Sequence, residues 1–155
     1  VISHRPADLG FEPELRFICD SWVASYRDAD TSGIIQVGDW YPVMIPQVIK
    51  ILAKEDVRAT VAYETSNPDR GSQAYGFIVA DTVAAPALVY YVFVKSACRR
   101  GGVARGLFAA IGIDPTQRFN YVCSTPMAGL LRRKVPMAKW TPKLGRYPKH
   151  ERRNA

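Results

Sequence analysis

The residues best able to do chemistry stand close together between Val92 and Phe108, in the run VFVKSACRRGGVARGLF. An apolar, strand-like segment passes into a turn of arginines and glycines and then into a helix-forming stretch. Glycines let the backbone approach a ligand closely, the first turn of a helix has N–H groups without internal partners, and the helix dipole adds partial positive charge there. Such a turn binds anions before any side chain contributes. Arg99, Arg100 and Arg105 add charge-assisted bonds suited to phosphate oxygens. The spacing matches neither the G-x-x-x-x-G-K-[ST] phosphate loop nor the G-x-G-x-x-G fingerprint followed about 20 residues later by an acid.

The rest of the chain must position that turn. Ile2 to Arg5 reads as a short first strand ended by Pro6. From Glu12, the residues Leu15, Ile18, Trp22 and Val23 recur at three- and four-residue steps, which predicts a helix to about Tyr26. The polar stretch Arg27 to Trp40 reads as a loop. A second amphipathic helix follows through Ile45, Val48, Ile49 and Leu52, with Pro46 tolerable only near its first turn. The period then changes. Arg58 to Glu64, Ala74 to Asp81 and Ala87 to Lys95 are β-branched and aromatic runs separated by turn chemistry at Asn67 to Gly71 and at Ala85-Pro86, so they predict a three-stranded antiparallel meander. A helix from about Val103 to Ile111, a strand Phe119 to Ser124, a short helix Ala128 to Lys134 and one more strand around Met137 to Trp140 complete the order.

At 155 residues, 17.3 kDa and 48% apolar side chains, the chain is long enough to bury a core as one domain without disulfides or metals. The three cysteines, Cys19, Cys98 and Cys123, are widely spaced with no metal-ligand pattern, so no metal is expected and a reducing cytoplasm is the expected setting. No run approaches the roughly 18 apolar residues of a membrane span, and Val1 to Gly10 lacks a signal-peptide pattern, so neither membrane insertion nor export is expected. The formal charge of +7 is unevenly placed: residues 132–155 hold nine Lys/Arg against the single acid Glu151 and carry +8, while the remainder sums to −1. The expected organisation is a folded domain over residues 1–141 and a basic tail over 142–155. That tail can grip phosphates of a nucleic acid or simply solubilise the chain.

Arg99-Arg100-Gly101-Gly102-Val103-Ala104 matches the pattern Q/R-x-x-G-x-G/A, the pyrophosphate-binding loop of the GNAT superfamily of N-acetyltransferases, and the chain resembles that superfamily. Val92-x-Val94 looks like the end of the family's fourth strand, Arg105-x-Leu107 looks like the start of the following helix, and the element order fits over nearly the whole length. The resemblance implies an α+β (α/β three-layer) fold with a mixed, mostly antiparallel sheet flanked by helices and with splayed fourth and fifth strands. It implies acetyl-CoA as cosubstrate, held by backbone groups of Val92, Phe93 and Val94 along the pantetheine arm and by the N–H groups of Arg100, Gly101, Gly102, Val103, Ala104 and Arg105 at the pyrophosphate, with Arg99 beside them.

The family's catalytic pattern is not matched. Many relatives carry a carboxylate near the bulge of the fourth strand, where this chain has Tyr90 and Tyr91; in the pattern N-x-x-A-x-x-L-Y after the fifth strand, Ala128 and Leu131 fit but Arg132 replaces the tyrosine acid. Tyr90, Tyr91 and Tyr121 are the candidate substitutes, with Tyr147, Glu64 and His4 behind them. The acceptor pocket is expected from the first two helices and their loop, where Trp22, Tyr26, Asp28, Asp30, Asp39, Trp40 and Tyr41 mix aromatic and acidic groups able to hold a cationic amine. The expected activity is acetyl transfer to a primary amine. Two alternatives stand beside it: a nucleic-acid-binding protein that uses the basic tail without catalysis, and a member of the bacteriophage-encoded kind that modifies an amine in DNA.

Overall fold

The computed structural model describes residues 1–27, 37–66, 74–122 and 138–140, with the backbone alone at 26–27, 37–40 and 138–140. Strand β1 (Ile2–Pro6) leads to helix α1 (Glu12–Arg27) and helix α2 (Val37–Leu52); strands β2 (Val57–Glu64), β3 (Ala74–Asp81) and β4 (Leu88–Val94) follow; a single 3-10 turn (Ser96–Cys98) precedes helix α3 (Val103–Ile111), and β5 (Phe119–Tyr121) and β6 (Ala138–Trp140) come last. The six strands form one sheet in chain order, antiparallel from β1 to β4 and parallel from β4 through β5 to β6. The short helix expected at Ala128 to Lys134 and the basic tail lie outside the described residues.

Adjacent residues of a strand point to opposite faces, and β1 shows what covers each. His4 lies against Gly106 of α3, where a Cβ would fall on the imidazole. Arg5 turns the other way, to Glu14 of α1. Helices α1 and α2 thus cover one face and α3 the other, the helix–sheet–helix arrangement expected from the sequence. The α1 stripe read from periodicity is the buried one: Ile18, Trp22 and Val23 are fully enclosed against Val61, Phe77, Val79 and the other inward residues of the strands. On the opposite face, Val103, Leu107 and Phe108 of α3 are buried, and the Phe108 and Phe119 rings meet at 5.4 Å.

Helix α2 departs from expectation. It begins at Val37, inside the stretch read as a loop, and includes Pro42 and Pro46, so Pro46 sits past its middle rather than in its first turn. A proline inside a helix lacks an N–H and crowds the carbonyl four residues back. Burial of Val48, Ile51 and Leu52 in the core offsets that local cost, an instance of tertiary packing overriding propensity.

One buried ion pair holds the first strand to the first helix. Arg5 donates to Glu14 in bidentate fashion at 3.0 and 2.6 Å, the Glu14 side chain is 1% exposed, and the Asp8 N–H supplies a third bond at 2.6 Å. The carboxylate in turn raises the Arg5 pKa, chiefly through these hydrogen bonds. Removing one member of such a pair leaves an uncompensated charge. Arg5→Met should therefore lower the unfolding free energy by about 3 kcal/mol, measured by urea denaturation at pH 7.

Candidate functional site

Strand β4 changes character along its length. Its first half is core: Leu88, Val89, Tyr90 and Tyr91 are all buried. On one side it pairs with β3, but the register slips between Val79/Ala80 and Tyr91/Val89, which leaves Tyr90 as the extra residue of a β-bulge. On the other side, among the described residues, β5 pairs with Leu88 and Val89, through Asn120 N–H to Ala87 O at 2.8 Å and Val122 N–H to Val89 O at 3.2 Å. Beyond that point no described strand accompanies β4 on this side.

The free edge has a defined pattern. Lys95 N–H bonds Tyr75 O at 2.8 Å, and the register Gly76↔Val94, Phe77↔Phe93, Ile78↔Val92 then makes Phe93 a hydrogen-bonded partner of Phe77, because antiparallel ladders alternate. The main chain of Phe93 therefore faces β3, while the N–H and C=O groups of Val92 and Val94 face the opening. The Phe93 side chain packs near Phe77 and Phe17. The Val94 carbonyl already accepts a bond from Arg99 Nε at 3.1 Å.

The edge runs directly into the arginine–glycine turn. Arg100 takes a left-handed conformation (φ 71°) and Gly102, the N-cap of α3, another (φ 78°). No side chain caps the helix, and among the described residues the N–H groups of residues 100–105 make no hydrogen bond. The first helical bond is Gly106 N–H to Gly102 O at 3.0 Å. Arg99, Arg100, Gly101, Gly102, Ala104 and Arg105 are exposed, and Val103 anchors the turn in the core. A run of N–H donors without described partners at a helix N-terminus, in a segment that carries Arg99, Arg100 and Arg105, is suited to binding an anion.

The tyrosines occupy distinct surroundings. Tyr91 is stacked on Trp22 of α1, with centroids 5.1 Å apart and planes 10° from parallel. The bulge interrupts strict alternation, so Tyr90 does not take the opposite face: its hydroxyl accepts a bond from Lys54 Nζ at 3.2 Å, from the turn that follows α2. Tyr121 is buried on β5, and its separation of two residues from Phe119 puts it on the α3 face. Asn120, between them, points to the α1/α2 face; it is 8% exposed, and its Oδ1 has no partner among the described residues. Neither Lys54 nor Asn120 was singled out from the sequence. The signal for Asn120 was available in F-N-Y-V, a polar residue of poor strand propensity inside an apolar strand.

The other candidates lie away from the opening or within the core. Trp22 is 1% exposed with Nε1 unpartnered, so it reaches the cleft only through Tyr91. Tyr41 is half-buried on α2; the backbones of Tyr26, Asp39 and Trp40 fall in α1 and α2, and Asp28, Asp30 and Tyr147 lie outside the described residues. Glu64 receives bonds from Ser66 Oγ at 3.0 Å and Tyr75 Oη at 3.1 Å at the far end of β2. Burial pushes the Cys19 thiol up to about 11, with Asp20 adding to the effect, whereas Cys98 is half-buried beside the turn.

The fold has parallels among known structures. A protein assigned as an acetyl transferase from Pyrococcus furiosus superposes with a TM-score of 0.58 at 14% identity, over 86% of this chain and 91% of that one. The aminoglycoside 6'-N-acetyltransferase of Acinetobacter baumannii gives 0.51 at 14%, over 87% and 89%. A protein assigned to the GNAT acetyltransferases from Staphylococcus aureus gives 0.51 at 12%, over 70% and 86%. The fold is the GNAT fold. No family model matches the sequence, and no curated protein does either. The splayed fourth and fifth strands that the sequence resemblance implies correspond to β4 and β5, which pair at Leu88 and Val89 among the described residues.

Two glycines maintain this geometry for different reasons. A Cβ at Gly76 would strike the Phe93 carbonyl and Val94, whereas one at Gly102 would meet nothing, leaving only the strain of its positive φ. Gly76→Ala should cost about 2 kcal/mol through displacement of β4, and Gly102→Ala about 1 kcal/mol. Urea denaturation of the two variants checks the order.

Proposed function

We propose that the protein is an acyltransferase that moves an acetyl group from acetyl-CoA to an amine. The observation that carries this reading is the succession of two sites: the main-chain edge of Val92 and the Val94 N–H, which no described strand covers, is followed through one 3-10 turn by the N–H groups of residues 100–105, which have no partner among the described residues. A ligand that fits both must offer amides along an extended arm, as an added strand would, and an anion at its end. The pantetheine arm and pyrophosphate of CoA have that sequence of groups, and the GNAT fold supports the choice. Phe93 makes no main-chain contact in this reading; Val92, Val94 and the turn hold the cofactor.

The reaction then follows. The amine nitrogen adds its lone pair to the thioester carbon, and the carbonyl pair moves to oxygen. Collapse re-forms the carbonyl and breaks the C–S bond, sending its electrons to sulfur. Tyr90 lies at the bulge, next to the parting of β4 and β5, where the thioester end of a ligand entering from the turn would stop. Its hydroxyl gives a proton to the departing thiolate, Lys54 Nζ stabilises the phenolate, and the proton lost by the acylated nitrogen restores the phenol. Holding the two reactants together supplies much of the rate without a strong base. The free thiols of Cys19 and Cys98 support a reducing, cytoplasmic setting.

Calorimetry with CoA tests the proposal. Micromolar binding is expected, weakened at least tenfold in Arg100→Ala through loss of a charge-assisted contact; absence of binding at millimolar CoA overturns it. Tyr90→Phe should retain CoA affinity and lose most turnover with any amine that the wild type acetylates.

The +8 charge of residues 132–155 favours a second reading, in which the acceptor amine is carried on nucleic acid. It requires DNA or RNA affinity that falls steeply with salt and disappears when residues 142–155 are deleted. A shift in nucleoside mass after treatment with enzyme and acetyl-CoA would establish it.

A further inference from the structure

An amide oxygen buried in a strand without a partner is costly, because it has lost water and gained no hydrogen bond. Asn120 Oδ1 is in that position, in a side chain 92% removed from solvent. Its location gives the cost a use. Phe119 meets Phe108 of α3, so alternation along β5 turns Asn120 to the other face of the sheet. There it sits beside Leu88, its partner in the parallel register, two residues before the bulge at Tyr90, and one residue pair below the last hydrogen bond that holds β5 to β4. Lys54 Nζ donates into the Tyr90 oxygen, so the phenol's own hydrogen turns away from Lys54. A hydroxyl donor on β4 and a carbonyl acceptor on β5 therefore share the α1/α2 face at the foot of the opening.

We propose that Asn120 binds the acceptor amine: its Oδ1 accepts an N–H of the attacking nitrogen and directs the nitrogen lone pair toward the thioester carbon. The inference rests on the acyltransferase reading and adds the residue that orients the second substrate. Asn120 takes no proton. An amine nitrogen retains an N–H after acylation by one acetyl group only if it began as a primary amine, so this bond persists from substrate to product amide for a primary amine and for no other class.

The test uses two synthetic CoA thioethers, CoA–S–CH2–CO–NH–propyl and its ester counterpart CoA–S–CH2–CO–O–propyl, which differ in the one N–H. Wild type should bind the amide roughly two- to tenfold more tightly than the ester by calorimetry. Asn120→Leu should lose that preference, keep its affinity for CoA, and melt at the same or a higher temperature, because an unpaired buried carbonyl is replaced by an apolar group of similar shape. Equal binding of amide and ester by wild type overturns the proposal, as does a preference that survives in Asn120→Leu or in a second variant, Asn120→Ala. A lowered melting temperature in Asn120→Leu with the preference intact assigns Asn120 to structure alone. Failure of wild type to bind CoA itself overturns the acyltransferase reading, and this inference with it.

Discussion

Everything at the candidate site depends on where β5 stops pairing with β4. Among the described residues, parallel neighbours hydrogen-bond as far as Val89 and Val122, and from there β4 continues to Val94 with no described strand beside it on that side. Unpaired backbone at the centre of a sheet is normally avoided, since each buried polar group needs a partner. Here the other side of the same strand is fully tied to β3, and its side chains interlock with Phe17, Trp22 and Phe77. A firmly held strand can therefore present an open edge without collapsing onto its neighbour. The turn after it inherits that rigidity, because Val103 and Leu107 fix α3 to the sheet.

The candidate anion site and the open edge are made of main chain, which explains what the sequence could and could not reveal. The run Arg99 to Ala104 was legible because glycine at a left-handed position and a chain of arginines leave a compositional mark. Helices α1 and α3 and strands β2 to β4 were legible through the period of their apolar residues, which end within a residue or two of where the backbone changes. The bulge was not. It depends on register with β3, a relation between segments that no local pattern of Val89-Tyr90-Tyr91-Val92 encodes. Without it, strict alternation sends Tyr90 and Tyr91 to opposite faces; with it, one stacks on Trp22 and the other meets Lys54.

The N-terminal part of α2 failed to appear in the sequence for a related reason. Val37 to Trp40 belongs to the polar stretch that reads as a loop, and Pro46 reads as tolerable only in a first helical turn. What decides the matter is the burial of Val48, Ile51 and Leu52 one to three turns later, whose packing carries the helix back through weak positions. The aspartate-rich acceptor pocket read from this region is a separate matter: the structure places Trp22 in the core, Asp28 and Asp30 lie outside the described residues, and β5 and the turn after α2 bring Asn120 and Lys54 to the face that α1 and α2 cover. Asn120 stands out as a polar residue inside an apolar strand, whereas Lys54, in the charged run Lys54-Glu55-Asp56, gives no reason in the sequence to choose it over its neighbours.

The bond from Arg99 Nε to the Val94 carbonyl makes this arginine a strut as well as a charge. Its third nitrogen is tied to the end of the strand, so only the two terminal nitrogens remain for an anion in the turn. Strand end and loop are thereby pinned at one point, and an anion drawn in by the guanidinium meets a frame whose distance to the open edge is already set. A lysine in this place would bring the same charge and leave the frame unlatched.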